Sequence, residues 1–242
     1  MQTRIGIITQ ARMTSTRLPG KILKEVNGSS LLHYHTQRLK QSGIETIIAT
    51  TINKTDDAVQ EFAEKSQIKF YRGDENNVLK RYHETAQKYN LDVIVRVTSD
   101  CPLVDPHLIR NSIEKYLQLN NNKLYMSNVL ERTFARGFDF EIFSFHLLHQ
   151  AFINAREETD QEHVTPYIWK NKSGETEFYT IKQSNNNSHL RITVDTPDDF
   201  ELVKQLITNY HAHELSYVEI ENLLNNHPEL TLLNGHIEQK KN

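Results

Sequence analysis

The chain is poor in cysteine, proline and glycine, and each scarcity narrows the reading. Cys101 is the only cysteine among 242 residues, which rules out an internal disulfide and any cysteine-rich zinc site. Six prolines and eight glycines are too few for a collagen-like or linker-rich chain. No apolar run is long enough to span a bilayer, and the N-terminus lacks a charged segment followed by a long apolar one, so no signal peptide is expected. The simplest address is the cytoplasm, with no membrane partner. The net charge of −3 lacks the basic excess that nucleic-acid binding needs. The most local absence is of carboxylates. Arg4, Arg12, Arg17, Lys21 and Lys24 all precede the first acidic residue, Glu25. In a chain of near-balanced charge, such a stretch points to a small anion.

Short β-rich runs alternate with amphipathic patterns. The expected strands are 4–9, 46–51, 68–71, 92–98, 123–127, 138–143, 177–183 and 189–194. The expected helices are 30–41, 56–66, 78–89, 106–119, 144–156, 161–170, 197–209 and 217–225. The first two-thirds read β-α-β-α-β-α-β-α, an α/β chain with a mainly parallel sheet covered by helices. Strands crowd together from about residue 123 onward, which predicts some antiparallel pairing and a mixed sheet. No linker divides the chain, so residues 1–242 are expected to form one domain. Within it we expect a binding half (about 1–125), an elaboration (about 126–190) and a last part (191–242) carrying a site strand and C-terminal helices. The end, Asn234–Asn242, reads as a frayed tail.

Open parallel sheets bind ligands at the carboxyl ends of their strands, and three such ends carry unusual residues. After the first strand comes ARMTSTRLPGK, residues 11–21. Pro19-Gly20 makes a turn that lets backbone approach a ligand. Arg12 and Arg17 offer forked donors and Lys21 a point charge, all suited to phosphate. The hydroxyls of Thr14, Ser15 and Thr16 add donors. The loop is neither a Walker A sequence nor GxGxxG. The second end is VIVRVTSDCPLVDP, in which Asp105 caps a helix opened by Pro106. Capping leaves Asp100 unexplained. The third is HLRITVDTPDDFELV, where Thr196 caps, Pro197 opens the helix and Asp198 and Asp199 face its positive end. Asp195 is left over. If both spare aspartates point at the basic loop, they offer hard oxygens to Mg²⁺ beside a polyphosphate.

Weaker candidates remain. Arg96 is expected to pair structurally with Asp100, and Cys101 to be a packed thiol. In ARGFDFEIF, Asp139 and Glu141 alternate with Phe138, Phe140 and Ile142, so one face of that strand is polar and meets either solvent or substrate. Asp160 reads as an N-cap, and His163 on the following turn either faces the cleft or packs.

These blocks resemble, in order, those of the CMP-sugar synthetases, the cytidylyltransferases for 3-deoxy-manno-octulosonate and acylneuraminate. RGDENNVLKRY, ARGFDFEIFS and EHVTPYIW place the chain nearest the spore coat polysaccharide biosynthesis protein F subgroup, and the likeness spans about residues 4–205. The resemblance implies a three-layer α/β/α sandwich of the nucleotide-diphospho-sugar transferase, or GT-A, type. It implies that Arg12, Arg17 and Lys21 contact the triphosphate and that Ala11 and Arg12 lie near the base. Ser15 and Thr98 join this nucleotide set. It further implies that Asp100 and Asp195 are magnesium ligands, that CTP and an acidic sugar are the substrates, and that the protein is a homodimer. With Arg17 and Lys21, the two aspartates form the expected catalytic set. Arg136, Asp139, Glu141 and His163 are the expected acceptor contacts. The acceptor itself stays open. Two rival readings share these features: a GT-A glycosyltransferase using a ready-made nucleotide sugar, and a catalytically silent nucleotide binder.

Overall fold

A computed structural model describes residues 3–238. The strands are β1 (Ile5–Gln10), β2 (Glu25–Val26), β3 (Ser29–Ser30), β4 (Glu45–Thr51), β5 (Lys69–Gly73), β6 (Val93–Thr98), β7 (Leu124–Ser127), β8 (Glu141–Ser144) and β9 (Glu177–Thr180). The α-helices are α1 (Leu31–Lys40), α2 (Asp57–Lys65), α3 (Val78–Lys88), α4 (Pro106–Leu119), α5 (Phe145–Asn154), α6 (Glu158–His163), α7 (Pro166–Trp169), α8 (Pro197–Tyr210), α9 (Tyr217–Asn226) and α10 (Pro228–Thr231).

Seven strands form one sheet in the order β5-β4-β1-β6-β8-β7-β9. β1 pairs in parallel with β4 and β6, as does β4 with β5. β8 runs antiparallel to β6 and β7, and β9 is parallel to β7. The sheet is thus mixed and mainly parallel. Its two faces follow the alternation of the strands. Ile7, Val93, Val95 and Val97 pack with Leu39 of α1 and with Ile109 and Ile113 of α4. Ile8, Ile47 and Ile94 pack on the opposite side with Leu79 and Tyr82 of α3 and Leu148 of α5. Chain order runs outward from β1 to β4 and β5, then returns to β6 on the other side. That reversal opens a crevice above the carboxyl ends of β1 and β6.

The structure corrects several expectations. Segment 189–194 is not a ladder strand. It makes a single parallel bridge, Arg136 to Arg191, and its Val194 N–H donates to the Asp100 carbonyl at 2.8 Å. The strand expected at 138–143 begins only at Glu141, because the Asn128 side chain takes the place of a ladder. Its amide donates to the Phe138 carbonyl at 2.8 Å and its oxygen accepts from Phe140 N–H at 3.0 Å. The helix expected at 161–170 is two, α6 and α7. They break at Val164, whose φ is +71°, ahead of Pro166, a residue that disfavours helix immediately before it. Asp160 is not a cap but a buried member of α6, held by Lys172 Nζ at 2.8 Å. In the expected frayed tail, Asn234 is buried and donates to Asp199 Oδ1 at 2.8 Å, while residues 239–242 lie outside the described ones. Among the described residues no helix is long and apolar enough to cross a membrane.

Candidate active site

The crevice is a cleft of about 1500 Å³. Its wall includes Gln10 to Arg12, Ser15 to Arg17 and residues 74–78, together with Arg132, Arg136, Asp139, His163 and Trp169, and Asp100 and Asp195.

The basic loop leaves β1 with Ala11 buried and its N–H donating to Ala49 O at 3.2 Å. Met13 N–H is held by Asp56 Oδ1 at 2.7 Å. The loop closes where Gly20, at φ +67°, turns left-handed and donates to Met13 O at 2.9 Å. Ser15 Oγ accepts from Leu18 N–H at 3.4 Å, so that hydroxyl also serves the loop's own turn. Arg12 is exposed and stands 3.7 Å from Glu75, which also accepts from the Thr14 hydroxyl at 2.8 Å. The hydrogen bonds from Thr14 and Asn53 hold the Glu75 carboxyl below its ordinary range. Thr98 ends β6 and faces the cleft.

Lys21 leaves the turn and points inward. Its Nζ lies 2.9 Å from Asp100 Oδ2 and 2.8 Å from Asp195 Oδ1. Asp100 sits in the turn that follows β6, closed by Cys101 N–H donating to Thr98 O at 3.2 Å. Asp195 precedes the α8 cap, where the Thr196 hydroxyl and the Asp199 carboxylate satisfy the first backbone N–H groups reciprocally. Arg17 Nη2 and Arg191 Nη2 each reach Asp195 Oδ2 at 2.9 Å. Burial opposes both charged partners at the centre, but the ion pairing prevails. The Lys21 ammonium is held above its usual pKa, and the Asp100 carboxyl falls to about 2. Cys101 is packed as expected, and burial pushes its thiol well up.

The four acceptor candidates, Arg136, Asp139, Glu141 and His163, all line the cleft, and two of them already have partners. Asp139 faces the cleft but is clamped by Arg132, whose two terminal nitrogens lie 2.5 and 2.8 Å from its oxygens. Glu141 is buried and already used. Arg96, the Tyr125 hydroxyl and the Thr165 hydroxyl all donate to it, the last at 2.7 Å. Arg96 therefore pairs with Glu141 and not with Asp100. Arg136 is half-buried on the cleft wall, and no ion pair to its guanidinium is found among the described residues. Burial and the neighbouring Arg132 lower its pKa. His163 closes α6 on the cleft rim. Residue-type reasoning missed Glu75, Arg132 and Arg191. Arg191 carried one signal, since it lies four residues before Asp195 in the same quoted block.

A family model described as Cytidylyltransferase matches residues 5–231. The chain belongs to the cytidylyltransferase family. Spore coat polysaccharide biosynthesis protein SpsF of Bacillus subtilis is 32% identical to it over 93% of this chain and 95% of its own length. A cytidylyltransferase structure from Leptospira borgpetersenii serovar Hardjo-bovis is 34% identical and superposes with a TM-score of 0.91, covering 98% of this chain and 100% of that one. The structure of CMP:2-keto-3-deoxy-manno-octonic acid synthetase complexed with CTP, 17% identical, shares the fold at a TM-score of 0.62 over 86% of this chain and 100% of that one. The enzyme is thus a CTP-dependent nucleotidyltransferase of the cytidylyltransferase family, similar to SpsF.

Lys21 Nζ marks a point where oxygens from Asp100 and Asp195 converge on positive charge. Among the described residues no group of three or more His, Cys, Asp or Glu could hold a metal alone. Two hard oxygens with no nitrogen or sulfur ligand fit Mg²⁺, which keeps waters and takes further oxygens from substrate phosphates.

Proposed function

We propose that the enzyme transfers CMP from CTP to an acidic sugar or related acceptor and releases pyrophosphate, with Mg²⁺ held by Asp100 and Asp195. The observation that carries this reading is the meeting of Lys21, Arg17 and two distant aspartates in one cleft, with Arg136, which has no ion partner among the described residues, on the same wall. The nucleotide is read into the end lined by Ala11, Arg12, Ser15 and Thr98. Arg136 takes the acceptor's anionic group, and Asp139 and His163 line its approach. Glu141 supports this floor by fixing Arg96, Tyr125 and Thr165, rather than by touching the acceptor.

A hydroxyl of the acceptor, giving its proton to solvent, or an ionised phosphate oxygen attacks the α-phosphorus in line. The bond to the bridging oxygen breaks, and its electron pair leaves with pyrophosphate. Arg17 and Lys21 neutralise the charge that builds on that leaving group. When bound, the ion would polarise the α-phosphoryl group and ease charge at the attacking oxygen. SpsF's name supports a place in surface polysaccharide or glycoconjugate synthesis. The family resemblance supports a cytoplasmic homodimer.

The deciding experiment measures pyrophosphate release with Mg²⁺, each of four NTPs, and a panel of acidic sugars and sugar phosphates. Release with CTP and an acidic acceptor supports the reading. Release only with neutral acceptors refutes the acidic assignment, and turnover that survives EDTA refutes the metal assignment.

A further inference from the structure

The charges around Lys21 are matched. Lys21 and Arg17 on the cleft wall and the buried Arg191 behind it supply three positive charges, and Asp100 and Asp195 on the wall and the buried Asp199 supply three negative ones. The contacts run from 2.8 to 2.9 Å. The Lys21 side chain is only 11% exposed, so its ammonium is largely withdrawn from water. The carboxylate oxygens that would ligate a divalent ion are the same oxygens that hold Nζ. Two like charges cannot share that point at close range.

We propose that Lys21 is a built-in placeholder cation, which blocks the metal position until a triphosphate draws it and Arg17 away. The inference rests on the metal reading of Asp100 and Asp195 given above. A triphosphate arriving at the loop offers Lys21 and Arg17 new anionic partners, and their departure leaves Asp100 and Asp195 short of positive charge. Nucleotide and divalent ion therefore bind with positive coupling, and by linkage each strengthens the other equally. A lone divalent ion finds the facing oxygens, Asp100 Oδ2 and Asp195 Oδ1, already held by Nζ. Arg191 stays behind, tied to Asp199 by Nε at 2.8 Å, and keeps Asp195 oriented during the exchange. Lys21 thus occupies the metal position in the empty site and turns to phosphate when nucleotide arrives.

The test measures Mn²⁺ binding to nucleotide-free protein by the loss of the free-ion paramagnetic resonance signal. It compares wild type, Lys21→Met, which keeps the aliphatic stem, and Lys21→Met/Asp195→Asn. We expect Lys21→Met to bind Mn²⁺ about tenfold more tightly than wild type, or better, within the 5–150-fold range usual for coupled sites. The double variant loses that gain. Equal affinity in wild type and Lys21→Met overturns the placeholder while leaving the metal assignment standing. EDTA-resistant turnover overturns the metal assignment itself. If Lys21→Met does not fold alone, recovery of its native circular dichroism by Mn²⁺ and not by K⁺ supports the proposal. No recovery at millimolar Mn²⁺ counts against it.

Discussion

His35 should give this enzyme a steep acid limb of stability. Its ring is fully buried and bridges three elements. Nδ1 lies 2.8 Å from the Cys101 carbonyl and Nε2 lies 2.9 Å from Thr9 Oγ1. A carbonyl only accepts, so Nδ1 carries the proton and the neutral ring accepts from Thr9 at Nε2. Burial pulls the pKa down from 6.5 to about 4. The folded state therefore refuses a proton that the unfolded chain accepts below pH 6.5, and stability falls as pH falls through that window. Worked as a single site, the loss between pH 7.5 and 5 is about 2 kcal/mol, and it levels off near about 3 kcal/mol below pH 4. Urea unfolding of wild type and His35→Asn across this range isolates the effect, because the other histidines are common to both. His35→Asn should be less stable at pH 7.5 but should lose about 2 kcal/mol less on acidification. A stability difference that stays constant with pH, or an imidazole that titrates near 6.5 by NMR, refutes the reasoning. The consequence reaches the site, because the Cys101 carbonyl belongs to the turn that carries Asp100.

Arg136→Met should raise KM for the acceptor at least about tenfold, the loss of one charge-assisted hydrogen bond, with KM for CTP unchanged. Equal effects on both would move Arg136 to the nucleotide. Gly137→Ala should destabilise the fold by about 3 kcal/mol or more. Gly137 has φ +115°, and an added Cβ would lie 2.7 Å from Ile192 Cγ1 and 2.9 Å from the Thr193 backbone nitrogen. Since that backbone leads to Asp195, kcat should fall as well. A variant with unchanged urea midpoint and kcat would show that the segment yields freely.

Residue types announced the parallel half of the sheet because β1, β4 and β6 are largely buried on both faces, and so read as runs rich in apolar and β-branched residues, with Arg96 the one charge inside β6. Asp100 and Asp195 stood out for a different reason. Capping accounts for Asp105 and for the residues around Thr196, and the two left unexplained were the ones that meet at Lys21. What stayed hidden was set by contacts distant in sequence. Nothing near Glu141 reveals that Arg96, Tyr125 and Thr165 converge on it from 16 to 45 residues away. Likewise 189–194 has the composition of a strand, yet its partners are Arg136 and the Asp100 turn instead of a full neighbouring edge.

The carboxylate-free opening of the chain has a physical explanation in this arrangement. A phosphate-binding loop must be cationic when the nucleotide arrives, yet several guanidinium and ammonium groups crowded together repel one another and destabilise the empty fold. Local acidic residues would relieve that repulsion permanently and compete with phosphate at every step. Carboxylates brought from elsewhere relieve it only while the site is empty. Arg12 meets Glu75, Arg17 meets Asp195, and Lys21 is shared by Asp100 and Asp195. Because Asp100 and Asp195 are also the proposed metal ligands, releasing the loop cations to phosphate readies the site for a divalent ion. The neutral empty site and the loaded site then use the same carboxylates, and the changeover needs side-chain movement within the cleft rather than a new fold of the loop.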